Sequence, residues 1–177
     1  MNDKTGDTIS ANEKELLEYY GYKGESGRLR LRFRFLRSWI LHSLAYSSPH
    51  PGFVTSMQRA RGVRIGENCH ISPYVLIDLL YPQLVTMGDN ITIGSNCLIF
   101  AHVNPTANAF LKKEYPRKVN PVNIKTGAVL FPGSIITAGV TIGENSVIGA
   151  GSVVFEDVPD YCVAIGNPAR VVKKIEH

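Results

Sequence analysis

From Val63 onward the aliphatic positions recur every six residues, a period that neither a half-buried strand nor an amphipathic helix uses. In VTIGENSVIGAGSVV, Val140 to Val154, the residues Ile142, Ile148 and Val154 are six apart. Val140, Ser146 and Ser152 run beside them at the same interval. If the strongest aliphatic slot is called the third, twelve hexads share this register between 63 and 157. Slot three is a large aliphatic in all twelve, from Ile65 to Val154, and slot one is small or β-branched. Slot six is Asn or Gly in eight of the twelve, the residues that best tolerate a positive φ. Each hexad therefore reads as a short strand with inward side chains, followed by a sharp corner. Segments this short cannot bury a face alone and must stack on one another.

The breaks fix the geometry. Residues 63–80 hold three hexads, and four extra residues, 81–84, follow. Residues 85–102 hold three more, then a 19-residue interruption, 103–121, intervenes. Residues 122–139 and 140–157 complete the series. Interruptions fall only between blocks of three, so the pattern predicts an all-β solenoid of about four triangular coils. The boundaries are an N-terminal segment 1–62, the repeats 63–157 with a protruding loop 103–121, and a C-terminal tail 158–177.

Upstream, RLRLRFRFLRSWILHSLAY (28–46) looks like an alternating strand. At helical spacing, however, Leu29, Phe33, Leu36, Ile40 and Leu44 share one face, with Arg30, Arg34 and Arg37 on another. This predicts a helix whose apolar face caps the open end of the solenoid. A basic amphipathic helix lying on an anionic membrane surface is the second reading. ANEKELLEYYGYKG predicts a shorter helix before it.

Composition adds little. Of 177 residues, 44% are hydrophobic and 19% charged, which fits a globular chain. There is no run of 18 apolar residues, and MNDKTGDTIS does not resemble a signal peptide, so a cytoplasmic location is expected. The net charge of +4 favours anionic ligands without indicating nucleic acid. Cys69, Cys97 and Cys162 lack metal-ligand spacing and read as small core residues.

The motifs VTMGDN, ITIGSN, VTIGEN, SVIGAGSVV, DVP and GNPARVV resemble those of the hexapeptide-repeat acyltransferases, over roughly residues 63–175. The nearest likeness is to O-acetyltransferases of galactosides, maltose and polysaccharides. The resemblance implies a left-handed parallel β-helix, a homotrimer, and an acetyl-CoA-dependent transfer to a sugar or glycan hydroxyl without a metal. It also puts the catalytic histidine at His102, in NCLIFAHVNPT. Many relatives have Asp, Pro or Asn at Val103 and Trp at Val129.

A neutral imidazole suits a general base at neutral pH, and His102 is the last residue before the long interruption. A solvated corner histidine would occupy the same slot. Asp78, in slot four one coil earlier, could orient His102, bind a sugar hydroxyl, or be a solvated corner residue. A backbone N–H near the corner would serve the oxyanion. The resemblance assigns Gly133-Ser134 and Ala150-Gly151 to the pantetheine arm, and Arg170, with Lys173 as a second candidate, to the coenzyme phosphates. Corner packing explains the small residues equally well. The resemblance also implies that the loop, with Lys112, Lys113, Tyr115, Arg117 and Lys118, extends over a neighbouring subunit and helps wall the site; a plain solvated loop is the alternative. A zinc hydratase would need three converging histidines, and only His70 and His102 lie in the repeats. Transfer to an antibiotic, an amino-sugar amine or serine, or a silent scaffold role, are the alternatives.

Overall fold

The computed structural model describes residues 8–103 and 108–176. Helices α1 (Thr8–Tyr19), α2 (Gly24–Tyr46) and α3 (Pro51–Arg61) come first. The first two were expected, and α3 was not. Its ends are nonetheless conventional: His50 Nδ1 accepts from the Phe53 N–H, Pro51 takes the first turn, and Gly62 closes the helix at φ 110°.

The repeats follow as three strands per block. These are β1 (Arg64–Ile65), β2 (His70–Ile71) and β3 (Leu76–Ile77), then β4 (Val85–Met87), β5 (Thr92–Ile93) and β6 (Leu98–Ile99). The interruption contributes β7 (His102–Val103), α4 (Ala109–Glu114) and β8 (Lys118–Val119). Then come β9 (Val122–Ile124), β10 (Val129–Leu130), β11 (Ile135–Ile136), β12 (Thr141–Ile142), β13 (Val147–Ile148) and β14 (Val153–Val154), and finally β15 (Cys162–Gly166) and β16 (Ala169–Lys174).

The chain visits three parallel sheets in turn. Their orders are β1-β4-β9-β12, β2-β5-β10-β13-β15 (with β16 antiparallel at its end) and β3-β6-β11-β14. The register obeys the hexad: Ile65 pairs with Met87, Ile71 with Ile93, and Ile77 with Ile99. Every slot-three residue except Ile65, and every slot-one residue except Cys69, is buried. The second slots carry outward residues, among them the exposed His70. Nine of the twelve slot-six residues have positive φ: Asn68, Tyr74, Asn90, Asn96, Gly127, Gly133, Gly139, Asn145 and Gly151. The exceptions, Leu80, His102 and Asp157, each end a block where the path changes. Stacking continues past Asp157, because Val158 bridges to Ile142 and β15 pairs with β13.

The N-terminal helices cover the first rung with polar groups. The outermost strands leave carbonyls with no next strand to serve them, and burying these unpaired would be costly. Arg59 donates to the carbonyls of Ile65 and Gly66, and Arg61 to those of Ile77 and Asp78. Ser38 Oγ donates to Leu79 O, and Tyr20 Oη to Leu80 O. The expected capping face of α2 is therefore wrong. Gly27, Leu31, Ser38, His42 and Ala45 are buried, whereas Leu29, Phe33, Leu36, Ile40 and Leu44 are exposed. Hydrogen-bond demand at the open rung, not apolar area alone, set the orientation of the helix.

Candidate active site

Asp78 and His102 come from successive blocks of the third sheet's edge. The Asp78 N–H donates to Ile99 O, which seats the carboxylate beneath the corner where His102 leaves the stack. Asp78 is completely buried and accepts four N–H groups. Leu80 and Tyr81 donate to Oδ1, both at 2.9 Å, and Ala101 donates to Oδ2 at 2.8 Å. His102 Nδ1 lies 2.5 Å from Oδ2. Burial alone would raise the Asp78 pKa. The hydrogen bond and charge of His102, with the N–H groups of Tyr81 and Ala101, outweigh it and hold the carboxyl below its ordinary value.

The solvated-corner readings of both residues therefore fail. Asp78 has no contact with solvent, so it cannot itself bind a sugar hydroxyl. His102 does not adopt positive φ; it begins β7, which pairs with Lys118–Val119, and its side chain is only 10% exposed. With Asp78 ionised, Nδ1 carries the proton it donates, and Nε2 is the basic nitrogen.

Two further residues complete this wall. Tyr81 is buried and its ring centroid lies 5.3 Å from that of His102. Its hydroxyl accepts from Arg117 at 2.7 Å. Arg117 also donates to Asn12 and Glu15 of α1, so α1 and the interruption are tied together beside the histidine. Tyr81 belongs to the four-residue insertion after the first block, a break that could have marked it. Arg117 was anticipated only as one of several loop cations. Beneath Asp78, Arg61 is buried and braced by Ser38, Gln58 and His42, an arrangement no motif announced.

The expected coenzyme residues lie elsewhere on the chain. Gly133 and Gly151, at φ 75° and 67°, stack at the edge between the second and third sheets. His102 leaves from the end of the third. Ser134 is fully buried, with Oγ 3.3 Å from Cys97 Sγ, so only its backbone faces that edge. Ala150 and Gly151 are exposed. Arg170 and Lys173 lie on the exposed face of β16, with Arg170 3.7 Å from Glu156. One chain thus presents an acid–base pair at the end of the third sheet and a glycine-lined edge between the second and third. A cavity of about 380 Å³ under the helical cap, lined by Leu16, Leu31, Phe35 and Leu80 among others, does not include His102. Among the described residues no His/Cys/Asp/Glu group could hold a metal ion.

Stacked three-sheet repeats carrying a buried carboxylate–imidazole pair define a hexapeptide-repeat protein with acid–base capability. Comparison with known proteins agrees on the repeat. The family described as bacterial transferase hexapeptide (six repeats) matches residues 121–156. Galactoside O-acetyltransferase of Escherichia coli K12 is 40% identical over 114 residues, covering 62% of this chain and 56% of that enzyme. The structure of a maltose O-acetyltransferase from Clostridium difficile 630 superposes with a TM-score of 0.63 at 26% identity, covering 94% of this chain and 98% of that one. A galactoside acetyltransferase in complex with coenzyme A gives 0.61 at 28% identity, covering 82% of each chain. The chain spans about half the length of some curated relatives, 45% of one from Schizosaccharomyces pombe and 56% of the E. coli enzyme. The chain therefore carries the bacterial transferase hexapeptide repeat and is similar to acetyltransferases built on it.

Proposed function

We propose that this protein is an acetyl-CoA-dependent O-acetyltransferase acting on a sugar or glycan hydroxyl, with His102 as general base. The observation that carries the reading is the His102–Asp78 pair. A buried, ionised carboxylate fixes the imidazole tautomer so that Nε2 faces the reaction as a base. The acetyl thioester supplies an activated acyl carbon. His102 Nε2 takes the proton of the acceptor hydroxyl as its oxygen bonds to that carbon. The imidazolium, stabilised by Asp78, then returns the proton to the sulfur as the C–S bond breaks. Asp78 positions His102 and does not touch substrate.

In this reading the three sheets close into a left-handed parallel β-helix of four triangular coils, and the protein works as a homotrimer. Support comes from the separation of His102, at the end of the third sheet, from the Gly133 and Ala150-Gly151 edge between the second and third. A neighbouring subunit can bring its glycine edge against the histidine of the first, which one chain cannot do alone. The coenzyme phosphates would meet Arg170 and Lys173, which are exposed and basic. A cytoplasmic location fits a coenzyme A-dependent reaction, and no described helix is long and apolar enough to cross a membrane.

The test is turnover of acetyl-CoA against a panel of sugar acceptors, by wild type and His102→Asn. The variant should fold and assemble normally and lose about 10²–10⁴-fold in kcat. Near-complete retention of kcat would remove His102 from the mechanism. Turnover confined to amine acceptors would replace the hydroxyl reading with N-acetylation.

A further inference from the structure

The face of α2 that the cap does not use is built for a different contact. At about 100° per residue, Leu29, Phe33, Leu36, Ile40 and Leu44 form one stripe, opposite the buried Leu31, Ser38 and His42. Leu29 and Phe33 are 70% and 67% exposed, and the other three are exposed as well. From Leu29 to Leu44 the stripe runs about 22 Å along the helix, at about 1.5 Å per residue. It is more apolar surface than a solvated helix has reason to keep in one line.

The borders of the stripe are basic. Arg28, Arg30, Arg32, Arg34 and Arg37 fall within ten positions, and no Asp or Glu occurs between Arg28 and Tyr46. A shallow groove on this face is lined by Tyr22, Leu29, Arg30, Phe33, Arg34 and Arg37. Among the described residues Arg34 reaches neutral partners, the Gln83 amide and the Tyr20 ring, and Arg37 reaches the Ala60 carbonyl. Among the described residues no carboxylate pairs with these three arginines, although Arg28 and Arg32 each lie near one, Glu25 and Glu13. Three unneutralised guanidinium groups over an apolar floor match a surface that offers phosphates above hydrocarbon. A second copy of the chain is the poorer fit, because a two-fold contact would set arginines against the same arginines. Trp39 stands at the other border, half exposed, where an indole suits a membrane interface.

We propose that α2 docks this protein on an anionic phospholipid surface, with the Leu29–Leu44 stripe at the acyl boundary and Arg30, Arg34 and Arg37 against lipid phosphates. The proposal is independent of the acyl-transfer chemistry and of which acceptor is used.

Trp39 is the only tryptophan in the chain, so its emission reports on this face directly. The full-length protein should be mixed with phosphatidylcholine vesicles, with and without phosphatidylglycerol, and followed by Trp39 emission and co-sedimentation. A blue shift and co-sedimentation are expected with the anionic vesicles only, reversed by high salt. The double substitution Leu29→Asp/Phe33→Asp should weaken partitioning at least about tenfold. Arg30→Gln, at a residue with no hydrogen-bond or ion-pair partner among the described residues, should weaken it several-fold at low salt with an unchanged circular dichroism spectrum. The Arg30 variant decides the matter if the double variant misfolds. No shift with anionic vesicles, or equal binding to neutral ones, overturns the proposal. So does light scattering that shows an oligomer dissociating when Leu29 and Phe33 are replaced, which would make the stripe a contact between subunits.

Discussion

Replacing Asp78 with Asn changes one atom and should disturb both stability and turnover. The carboxylate accepts four N–H groups with two oxygens: Leu80 and Tyr81 on Oδ1, and Ala101 and His102 on Oδ2. An amide keeps one accepting oxygen. Turned toward Leu80 and Tyr81, it leaves its NH₂ facing the Ala101 N–H and the His102 ring. The imidazole can relieve its half of the conflict by changing tautomer, so that Nδ1 accepts and Nε2 carries the proton. The Ala101 N–H then remains buried and unpaired, at a cost of about 1–3 kcal/mol. Losing the charge on the remaining bonds adds to this, so a total of about 2–4 kcal/mol is expected. The tautomer that rescues the fold removes the base. kcat should fall about 10²–10⁴-fold, with the KM for acetyl-CoA within about twofold of wild type. Urea unfolding would measure the first effect, and steady-state kinetics on samples verified as folded the second. A folded Asp78→Asn enzyme within a few-fold of wild-type kcat would refute the claim that the carboxylate sets the tautomer.

Other outcomes follow from the same contacts. Burial, and then the charge of Arg61, push the His42 pKa down from 6.5 to about 4. Between those values the unfolded chain binds a proton that the folded chain refuses. Stability should be full above pH 6.5 and fall toward pH 4 by at most about 3 kcal/mol. Unfolding midpoints across that window should show the slope, and His42→Gln should flatten it. Asp78, held below its ordinary value, adds a further loss at lower pH. Arg170→Ala should raise the KM for acetyl-CoA with little change in kcat, because a remote phosphate contact acts alike in ground and transition states; an unchanged KM would mean that β16 does not reach the coenzyme. Removing residues 1–23 takes Asn12 and Glu15 from Arg117, and Tyr20 from the Leu80 carbonyl. The stack should survive, but the Tyr81–His102 wall should loosen and kcat should fall; wild-type kinetics for the truncated chain would show that Arg117 needs no support.

The repeat body was legible from the sequence because each hexad's neighbour is another hexad. Ile71, Ile93, Leu130 and Ile148 lie in successive rungs of one sheet, so the burial pattern of the line is also its packing partner list. The corners were legible for a similar reason: a turn that needs positive φ selects Asn or Gly locally, whatever surrounds it. His102 stood out by position, at the point where the repeat stops. Its environment did not. That Asp78 is sealed from solvent and gathers four donors depends on Leu80, Tyr81 and Ala101 converging from two blocks, and no spacing along the chain encodes that convergence. The orientation of α2 failed for the opposite reason. Its apolar stripe was read correctly as a stripe and wrongly as the buried side, because periodicity reports which residues share a face but not what the face meets. The open rung offered the carbonyls of Ile77, Asp78 and Leu79, and it took the face bearing Ser38 and His42, with Arg61 beside them. Repetition let the sequence determine the stack and its corners. Only the tertiary structure decided the cap and the site, because their partners are remote in the chain and are chosen by unsatisfied hydrogen bonds.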